Sequence, residues 1–351
     1  MNRISAIALA LTLAASACGS DSKQAAEVAP ASLTLVAYDS FSLKPDSFDA
    51  FTKSTGIAVK IVTAGDAGTM LSKAALTAGN PEGDVMWGVD NTLLARAQQA
   101  QVFSPYKSSE LAALEPTAAA LVSGNLVTPV DEGDVCVNYD IAWFEQKNLD
   151  PPTTLDDLLK PEYKDLLVVE NPAASSTGLA FMLATIAHAG DSAWEQYWTS
   201  LRGNGVKVVE SWDLAYYEQF SGSTGKGDRP LVVSYGTSPP AEVIFADPRP
   251  DRATTGVVGS TCFHQVEFAG VLRGTKYPTA AGTLIDYLVS KSFQELLPLT
   301  LFVYPARTDA VLPAEFNEFA VRPADPLVVS PSDIEAKSKD WIATWTNLVV
   351  R

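Results

Sequence analysis

Aromatic and acidic side chains follow apolar stretches of this sequence, at the points where strands are expected to end. Tyr38 and Asp39 close the first stretch, and Asp66 follows the second in a glycine-containing turn. Trp212 follows a later apolar stretch, and Tyr235 ends the next one. Aromatic faces attract flat cations, and a nearby carboxylate favours positive charge. These residue types indicate a binding site for a flat, positively charged molecule.

A pair of serines opens a predicted helix in the stretch Ser175-Ser176-Thr177-Gly178. The first N–H groups of a helix have no partner within the helix, and they bind phosphate or carboxylate well. Ser175 and Ser176 are therefore further candidates for contact with a ligand. A helix cap made by either hydroxyl would explain the same residues.

The other candidates also have structural explanations that the sequence leaves open. Tyr38 could be a buried tyrosine with a hydrogen-bonded hydroxyl, and Trp212 and Tyr235 could pack in the core. Asp66 could cap the helix that is predicted to start at Gly68. Their position favours a site, because open α/β sheets bind ligands beyond the carboxyl ends of their strands.

Short apolar stretches alternate with helical patterns in the N-terminal part of the chain. Residues 33–38, 57–62 and 84–87 are predicted strands, and residues 47–55 and 68–78 are predicted helices between them. This alternation is typical of βαβ units with a mainly parallel sheet. We therefore expect a three-layer α/β lobe.

Two longer extended segments interrupt this alternation, at Val127–Tyr139 and Cys262–Arg273. They predict that the chain leaves the first lobe, forms a second one and returns. The expected fold class is α/β, with two three-layer lobes joined by two extended crossing strands and a ligand in the cleft between the lobes. Lobe 1 is expected to comprise residues 32–130 and 264–351, and lobe 2 residues 131–263.

Cys136 and Cys262 are predicted to form a disulfide. Each lies in one crossing segment, and adjacent antiparallel strands bring Cβ atoms within the roughly 3.5–4.5 Å that a bridge requires. Oxidising compartments favour such bonds. The alternative is that Cys262 and His264, two apart on one face of a strand, act as a nucleophile and its base.

The N-terminus predicts export. Residues 1–17 join a positively charged start to a mostly apolar run, which is typical of a signal peptide. The run ends in Ala15-Ser16-Ala17-Cys18-Gly19, which resembles the bacterial lipobox. That resemblance implies cleavage before Cys18, a diacylglycerol on its thiol and a flexible tether over residues 18–31. Plain secretion with cleavage after Ala17 is the alternative. Either way, the protein is expected outside the cytoplasmic membrane.

The composition argues against several functional classes. The 351 residues include 41 acidic and 25 basic side chains, a net charge of −16, which disfavours nucleic acid as a partner. The sequence has no G-x-S-x-G, H-E-x-x-H, P-loop or G-x-G-x-x-G motif, so we expect no enzyme activity, metal site or cofactor. The acidic residues Asp131, Glu132 and Asp134 could be active-site carboxylates, but a solvated loop has the same composition.

Five short stretches resemble the periplasmic thiamine-binding proteins, in that family's order and spacing. They are Tyr38-Asp39-Ser40-Phe41, Gly88-Val89-Asp90-Asn91, Ser211-Trp212-Asp213-Leu214-Ala215-Tyr216, Ser234-Tyr235-Gly236-Thr237-Ser238-Pro239 and Val303-Tyr304-Pro305. The resemblance implies a type II periplasmic-binding fold. It also implies a monomer that delivers thiamine or its phosphates to the permease subunits of an ABC importer. The ligand-binding residues that it implies are Tyr38, Asp39, Asp66, Ser175, Ser176, Trp212, Tyr235 and Phe302.

This sequence departs from that family at three positions that are usually aromatic. Pro45, Ala241 and Phe302 stand where the family has Trp, Tyr and Trp. Because two rings are lost, thiamine is expected to bind more weakly, or the ligand is a different heterocyclic cation.

The other alternative is a ferric-ion-binding import protein of the same superfamily. Tyr216-Tyr217 resembles the adjacent tyrosines by which such proteins hold iron through phenolate oxygens. Against this, the helical spacing of Leu214, Tyr217 and Phe220 predicts that Tyr217 is a core residue.

Overall fold

The computed structural model describes residues 29–122, 124–223 and 227–351. The predicted signal peptide, Cys18 and most of the predicted tether lie outside these described residues. Within the described ranges, no helix is both long and apolar enough to cross a membrane.

Strands and helices alternate in the N-terminal part of the chain, as the apolar pattern predicts. The elements are β1 (Ser32–Ala37), α1 (Asp49–Thr55), β2 (Ala58–Thr63), α2 (Ala67–Leu76), β3 (Val85–Asp90), α3 (Leu94–Gln99), β4 (Phe103–Ser104) and α4 (Pro116–Ala120). Strand β1 pairs in parallel with both β2 and β3. Helix α1 ends at Gly56, where a φ of +76° gives the left-handed cap that glycine adopts easily.

A second alternating region lies between two long strands. Its elements are β5 (Thr128–Asp140), α5 (Ile141–Lys147), β6 (Leu167–Glu170), α6 (Ser176–Ala189), α7 (Trp194–Gly203), β7 (Lys207–Val209), β8 (Leu231–Tyr235), α8 (Ser238–Ile244) and β9 (Thr255–Leu272). Strand β6 pairs in parallel with β7 and β8. A segment of π-helix, Leu214–Gln219, follows β7.

The C-terminal part is mainly helical. Its elements are α9 (Pro278–Leu288), α10 (Lys291–Gln294), α11 (Leu297–Thr300), β10 (Tyr304–Pro305), α12 (Ala314–Phe319) and α13 (Pro331–Val349). Helix α13 packs on α7 as well as on α3. The rings of Trp345 and Trp198 meet edge to face there, with centroids 5.2 Å apart. The predicted lobe boundaries stay a prediction, and α13 touches elements on both sides of them.

One continuous sheet joins the two alternating regions, in the order β2-β1-β3-β9-β5-β8-β6-β7. Strands β5 and β9 pair antiparallel at its centre and belong to both halves. The half with β1–β3 is lobe 1, and the half with β6–β8 is lobe 2. This arrangement confirms the predicted fold of two α/β lobes joined by crossing strands. Strand β9 starts at Thr255, so the predicted segment Cys262–Arg273 covered only its second half.

The structure joins Cys136 of β5 to Cys262 of β9 in a disulfide. The pairing of these strands is irregular there, because Val135 lies opposite Phe263 while Val137 lies opposite Val258. Cys262 is within this interruption. The sulfur of Cys262 is therefore used in the bridge, which leaves no thiol for the nucleophile alternative.

Apolar side chains form two large buried clusters and a small third one. The small cluster contains Val168, Ala215, Tyr216, Phe220 and Val232, and Trp212 packs against it. It therefore supports the part of lobe 2 from which Trp212 projects.

Candidate ligand-binding cleft

A cavity of about 180 Å³ lies between the two lobes. Tyr38, just beyond β1, lines it from lobe 1, and Tyr235, at the end of β8, lines it from lobe 2. Residues of the crossing strands line it as well. The cavity therefore lies at the carboxyl ends of the parallel strands, where an open α/β sheet binds ligands.

The lobe 2 wall of the cavity is aromatic. The ring of Trp212 stacks on that of Tyr216, with centroids 4.8 Å apart and an interplanar angle of 12°. Tyr217 meets Trp212 edge to face at 5.3 Å, and Tyr235 is 6.4 Å from it. The Trp212 indole Nε1–H donates to Ser234 Oγ at 2.9 Å. These contacts hold the indole in a fixed orientation beside the cavity.

The prediction that Tyr217 is a core residue is wrong. Tyr216 is 2% exposed, whereas Tyr217 is 48% exposed, and both line the cavity. The segment is a π-helix, so the α-helical spacing used for the prediction does not describe which side chains share a face. The π-helical turn thereby presents two adjacent tyrosines to the cleft.

The aromatic residues of the lobe 1 wall are Tyr38 and Phe302. Tyr38 lies against Gly88, where an added Cβ would come within 2.4 Å of its ring. Phe302 has a φ of +58°, which is unusual for a residue with a side chain. Its ring meets Phe245 of lobe 2 at 5.3 Å and stacks on Phe316 at 6.4 Å. An aromatic contact therefore joins the lobes beside the cavity.

Two carboxyl groups from the crossing strands lie at the floor of the cavity. Asp131 of β5 pairs in register with Glu267 of β9, and both line the cavity. Trp87 Nε1–H donates to both, at 2.9 Å to Asp131 and 3.1 Å to Glu267. Burial raises the pKa of Asp131 to about 7 and the pKa of Glu267 well above its ordinary value.

The sequence suggested a solvated loop at Asp131, Glu132 and Asp134, and that explanation is wrong. All three are buried residues of β5. Glu132 pairs with Arg322 at 2.6 Å, and Asp134 pairs with His264 at 3.0 Å. Only Asp131 of the three lines the cavity.

A third carboxyl group in the cavity belongs to Glu242, which was not among the residues predicted from the sequence. It accepts hydrogen bonds from Tyr216 Oη and Ser223 Oγ, both at 2.9 Å, and burial raises its pKa. The neighbouring residue Ala241, which stands where the thiamine-binding family has Tyr, also lines the cavity. None of the described residues that line the cavity is Lys, Arg or His. The electrostatic environment therefore favours a cation.

A separate polar contact joins the lobes at the N-termini of α2 and α6. Asp66 accepts from its neighbour Ala67 N–H at 2.6 Å and from Trp212 N–H of lobe 2 at 3.0 Å. Ser175 and Ser176, at the start of α6, lie close enough to stabilise its charge. Burial raises the pKa of Asp66, while these hydrogen bonds oppose the rise. We call this contact the α2–α6 junction.

The α2–α6 junction is closely packed. The N–H of Thr69 donates to the carbonyl of Ala174 at 3.1 Å, and a Cβ added at Gly68 would lie 2.7 Å from that oxygen. Asp66 is the N-cap of α2, as the structural alternative predicted. Ser175 is the N-cap residue of α6, but its hydroxyl bonds to Thr177 Oγ1 at 2.9 Å rather than to a helix N–H.

The structure divides the eight predicted ligand residues into groups. The cavity is lined by Tyr38, Trp212, Tyr235 and Phe302. Asp66, Ser175 and Ser176 meet at the α2–α6 junction and are not among the residues that line the cavity. Asp39 is exposed and accepts from Gly65 N–H at 2.9 Å. Pro45 begins a short 3-10 helix away from the cavity lining.

The tyrosine pair is poorly suited to hold iron. The hydroxyl of Tyr216 donates to Glu242, and burial raises the pKa of both Tyr216 and Tyr217, which disfavours phenolates. Among the described residues, no group of three or more His, Cys, Asp or Glu is arranged to hold a metal ion.

Comparisons with known proteins match most of the chain. A model of the family described as "Bacterial extracellular solute-binding protein" matches residues 81–325. The thiamine-binding periplasmic protein of Salmonella typhimurium is 29% identical, over 91% of this chain and 94% of its own. That of Escherichia coli is 28% identical over the same shares. A solved structure titled "Periplasmic thiamin binding protein" is 26% identical with a TM-score of 0.80, covering 91% of this chain and 96% of its own.

Proposed function

The chain belongs to the family of bacterial extracellular solute-binding proteins, and from this we propose that it binds thiamine. We propose that it acts as a monomer outside the cytoplasmic membrane and delivers thiamine to the permease of an ABC importer. The relatives named thiamine-binding periplasmic protein in Salmonella typhimurium and Escherichia coli align with 91% of this chain. The alternatives of a ferric ion and of a different heterocyclic cation serve as competing ligands in the test.

The observation that carries the proposal is the composition of the cavity wall. Aromatic rings from both lobes face it, three carboxyl groups line it, and none of its described lining residues is basic. Thiamine combines a flat aminopyrimidine with a thiazolium of fixed positive charge. Such a molecule can stack on Trp212 and Tyr235 while its charge is stabilised by the rings and the carboxyl groups.

Binding is proposed to involve closure of the two lobes about β5 and β9. Tyr38 and Phe302 belong to lobe 1, whereas Trp212 and Tyr235 belong to lobe 2, so a ligand between them contacts both lobes. A ligand that contacts both lobes stabilises the closed arrangement, because those contacts form together only when the lobes meet.

Free thiamine is favoured over its phosphate esters by the charges of the cleft. A phosphate in the cavity would meet the acidic groups of Asp131, Glu242 and Glu267. The carboxylate of Asp66 lies beside the N-terminus of α6, which the sequence offered to an anion, and its charge would oppose a phosphate there. We therefore propose the order thiamine, then thiamine monophosphate, then the diphosphate.

Calorimetry and tryptophan fluorescence on the form lacking residues 1–18 test the proposal. Thiamine should give saturable heat and a change in emission, and the change should shrink in Trp212→Phe. Native mass spectrometry of the purified protein should show thiamine if it co-purifies. No saturation at high micromolar thiamine, together with binding of another heterocyclic cation or of ferric ion, would reject the assignment.

We also propose that Cys18 carries the lipid anchor. The support is the stretch Ala15–Gly19, which resembles a lipobox. Labelled palmitate should be incorporated into the native chain and not into Cys18→Ser, and fractionation should move that variant from the membrane to the soluble fraction. Equal labelling of both chains would contradict a lipid on Cys18.

A further inference from the structure

The carboxyl pair at the floor of the cavity has no cationic partner among the described residues. Asp131 and Glu267 lie opposite each other on β5 and β9, and the donors that contact them are neutral. Trp87 Nε1–H contacts both, and Tyr38 Oη is 3.4 Å from Glu267 Oε2. Asp131 is 2% exposed and Glu267 is 6% exposed, so the little surface that they keep is the surface that faces the cleft.

Other ionisable groups surround this floor, and the acids among them add to its negative character. Asp90 of β3 lies close enough to oppose ionisation of both carboxyl groups, and Glu132 of β5 opposes that of Asp131. The phenols of Tyr38 and Tyr235 face the same place, and their protons are held by burial. Gln265 donates to Asp90.

Two basic side chains near the floor, Arg322 and His264, already have acidic partners. Arg322 pairs with Glu132, and His264 pairs with Asp134. Two adjacent buried carboxyl groups without a counter-ion do not both ionise, because each charge opposes the other in a medium of low polarity.

We propose that Asp131 and Glu267 form a proton-sharing recognition point for the cationic ligand, retaining one proton in the empty cleft and releasing it to solvent when the cation binds. The proposal rests on the proposed function and adds specificity residues outside the predicted ligand set. The bound cation takes the place of the proton as the charge that stabilises two carboxylates. An N–H of the ligand, such as the amino group of an aminopyrimidine, can then donate to the pair. Neutral ligands gain nothing from this exchange.

The sign of the pH dependence follows from the exchange. The empty protein binds one proton more than the complex, so cation affinity rises with pH while the pair in the empty protein still retains its proton. Burial raises the pKa of both carboxyl groups, so this rise in affinity extends above the pH at which a carboxyl group ordinarily loses its proton. The affinity of a neutral analogue should stay level over the same range.

Calorimetry in two buffers of different ionisation enthalpy measures the released protons directly. At about pH 7 we expect thiamine binding to release between about 0.5 and 1 proton, seen as a difference in heat between the buffers. Asp131→Asn and Glu267→Gln remove the two sites of the shared proton, and the variant that carries both changes should bring the release close to zero. Glu170→Gln is the matched control, because it removes a buried acid of β6 that does not line the cavity.

The outcomes separate this inference from the proposed function. Binding of thiamine with equal heat in both buffers by the unaltered protein overturns the proton exchange and leaves the function standing. Release that persists in the folded double variant also overturns it, since the proton then comes from another group. Absence of any thiamine binding overturns the proposed function and this inference with it. Because the two-buffer measurement uses the unaltered chain, it decides the question even where a variant fails to fold.

Discussion

The cavity and the α2–α6 junction both lie between the two lobes, and both contain carboxyl groups, but those groups have different partners. At the junction, Asp66 receives hydrogen bonds from the backbone of lobe 2, including Trp212 N–H at 3.0 Å. In the cavity, Glu242 receives only the neutral hydroxyls of Tyr216 and Ser223. A helix N-terminus stabilises a negative charge far better than two hydroxyls do. Asp66 therefore has backbone donors at a helix N-terminus, whereas Glu242 has hydroxyl donors only.

The comparison shows why residue type alone does not identify a ligand contact. An acid whose charge is stabilised by the other lobe serves to hold the lobes together. An acid that faces the cavity and has no helix N-terminus beside it leaves a favourable place for a cation. Trp212 takes part in both regions, because its N–H belongs to the junction and its indole lines the cavity.

The largest expected effect is on the free energy of unfolding, and it concerns the disulfide between the crossing strands β5 and β9. These strands join the two lobes between which the cavity and the junction lie. In the form lacking residues 1–18, replacing Cys136 and Cys262 by Ala removes a bond between residues 126 apart. The free energy of unfolding should fall by about 2–5 kcal/mol, as urea titration measures. Thiamine affinity of the folded variant should stay nearly unchanged, since neither sulfur lines the cavity. Free thiols are counted on the same form without the substitutions, after unfolding in the absence of a reducing agent. Two reactive thiols would show that the bond does not form.

The next effect separates the two roles of Trp212. Trp212→Ala removes the indole from the cavity and keeps the N–H that donates to Asp66. Thiamine should bind about 2–3 kcal/mol more weakly, because both stacking and cation–π attraction are lost. Trp212→Phe should lose less. Calorimetry measures the thiamine affinity of both variants. An unaltered affinity in Trp212→Ala would show that the indole only packs in the core.

Asp66→Asn weakens the junction without adding bulk. We expect thiamine affinity to fall by about 1–2 kcal/mol, because charge-assisted hydrogen bonds between the lobes are lost. The loss should be the same for a neutral analogue, and small-angle scattering should show more open lobes. A larger loss for thiamine than for the neutral analogue would instead support direct contact between this carboxylate and the ligand, as the family resemblance implies.

Glu242→Gln should behave in the opposite way. Thiamine affinity should fall by about 1 kcal/mol while that of a neutral analogue stays level, because only a charge facing the cavity is removed. Glu315→Gln is the control, since Glu315 pairs with Arg249 outside the cavity. Equal losses for the charged and neutral ligands in Glu242→Gln would remove the distinction between cavity and junction.

The smallest effect is expected at Phe302. Phe302→Trp should tighten thiamine binding by about 0.5–1 kcal/mol, because indole is the better cation–π partner. Phe302→Ala should cost more than that, since it also removes the contact with Phe245 of lobe 2. If Phe302→Ala lowers the melting temperature and leaves affinity unaltered, Phe302 is a packing residue rather than a ligand contact.

The alternation of strands and helices was predictable because it depends on local chemistry. Apolar runs such as residues 33–38 form buried strands wherever they are placed in a sheet, and Gly56 ends its helix through its own backbone freedom. Strand ends follow from these patterns, which is why Tyr38, Trp212 and Tyr235 could be selected as candidates. All three line the cavity.

The errors arose where the local pattern did not describe the fold. Tyr217 was assigned to the core from α-helical spacing, but the segment is a π-helix and Tyr216 is buried instead. Acidic residues of β5 were read as a possible solvated loop because charged stretches are usually exposed. In the structure, strand pairing with β9 buries them.

By itself, the sequence determined which segments become strands and helices and which side chains stand at strand ends, because these depend on neighbours in the chain. Only the tertiary structure decided the electrostatics of the cleft. Asp131 and Glu267 are far apart in sequence and meet through the register of β5 and β9. Asp66 reaches the backbone of lobe 2 because the lobes pack together. A carboxyl group's role depends on the donors that surround it, and here those donors come from distant parts of the chain.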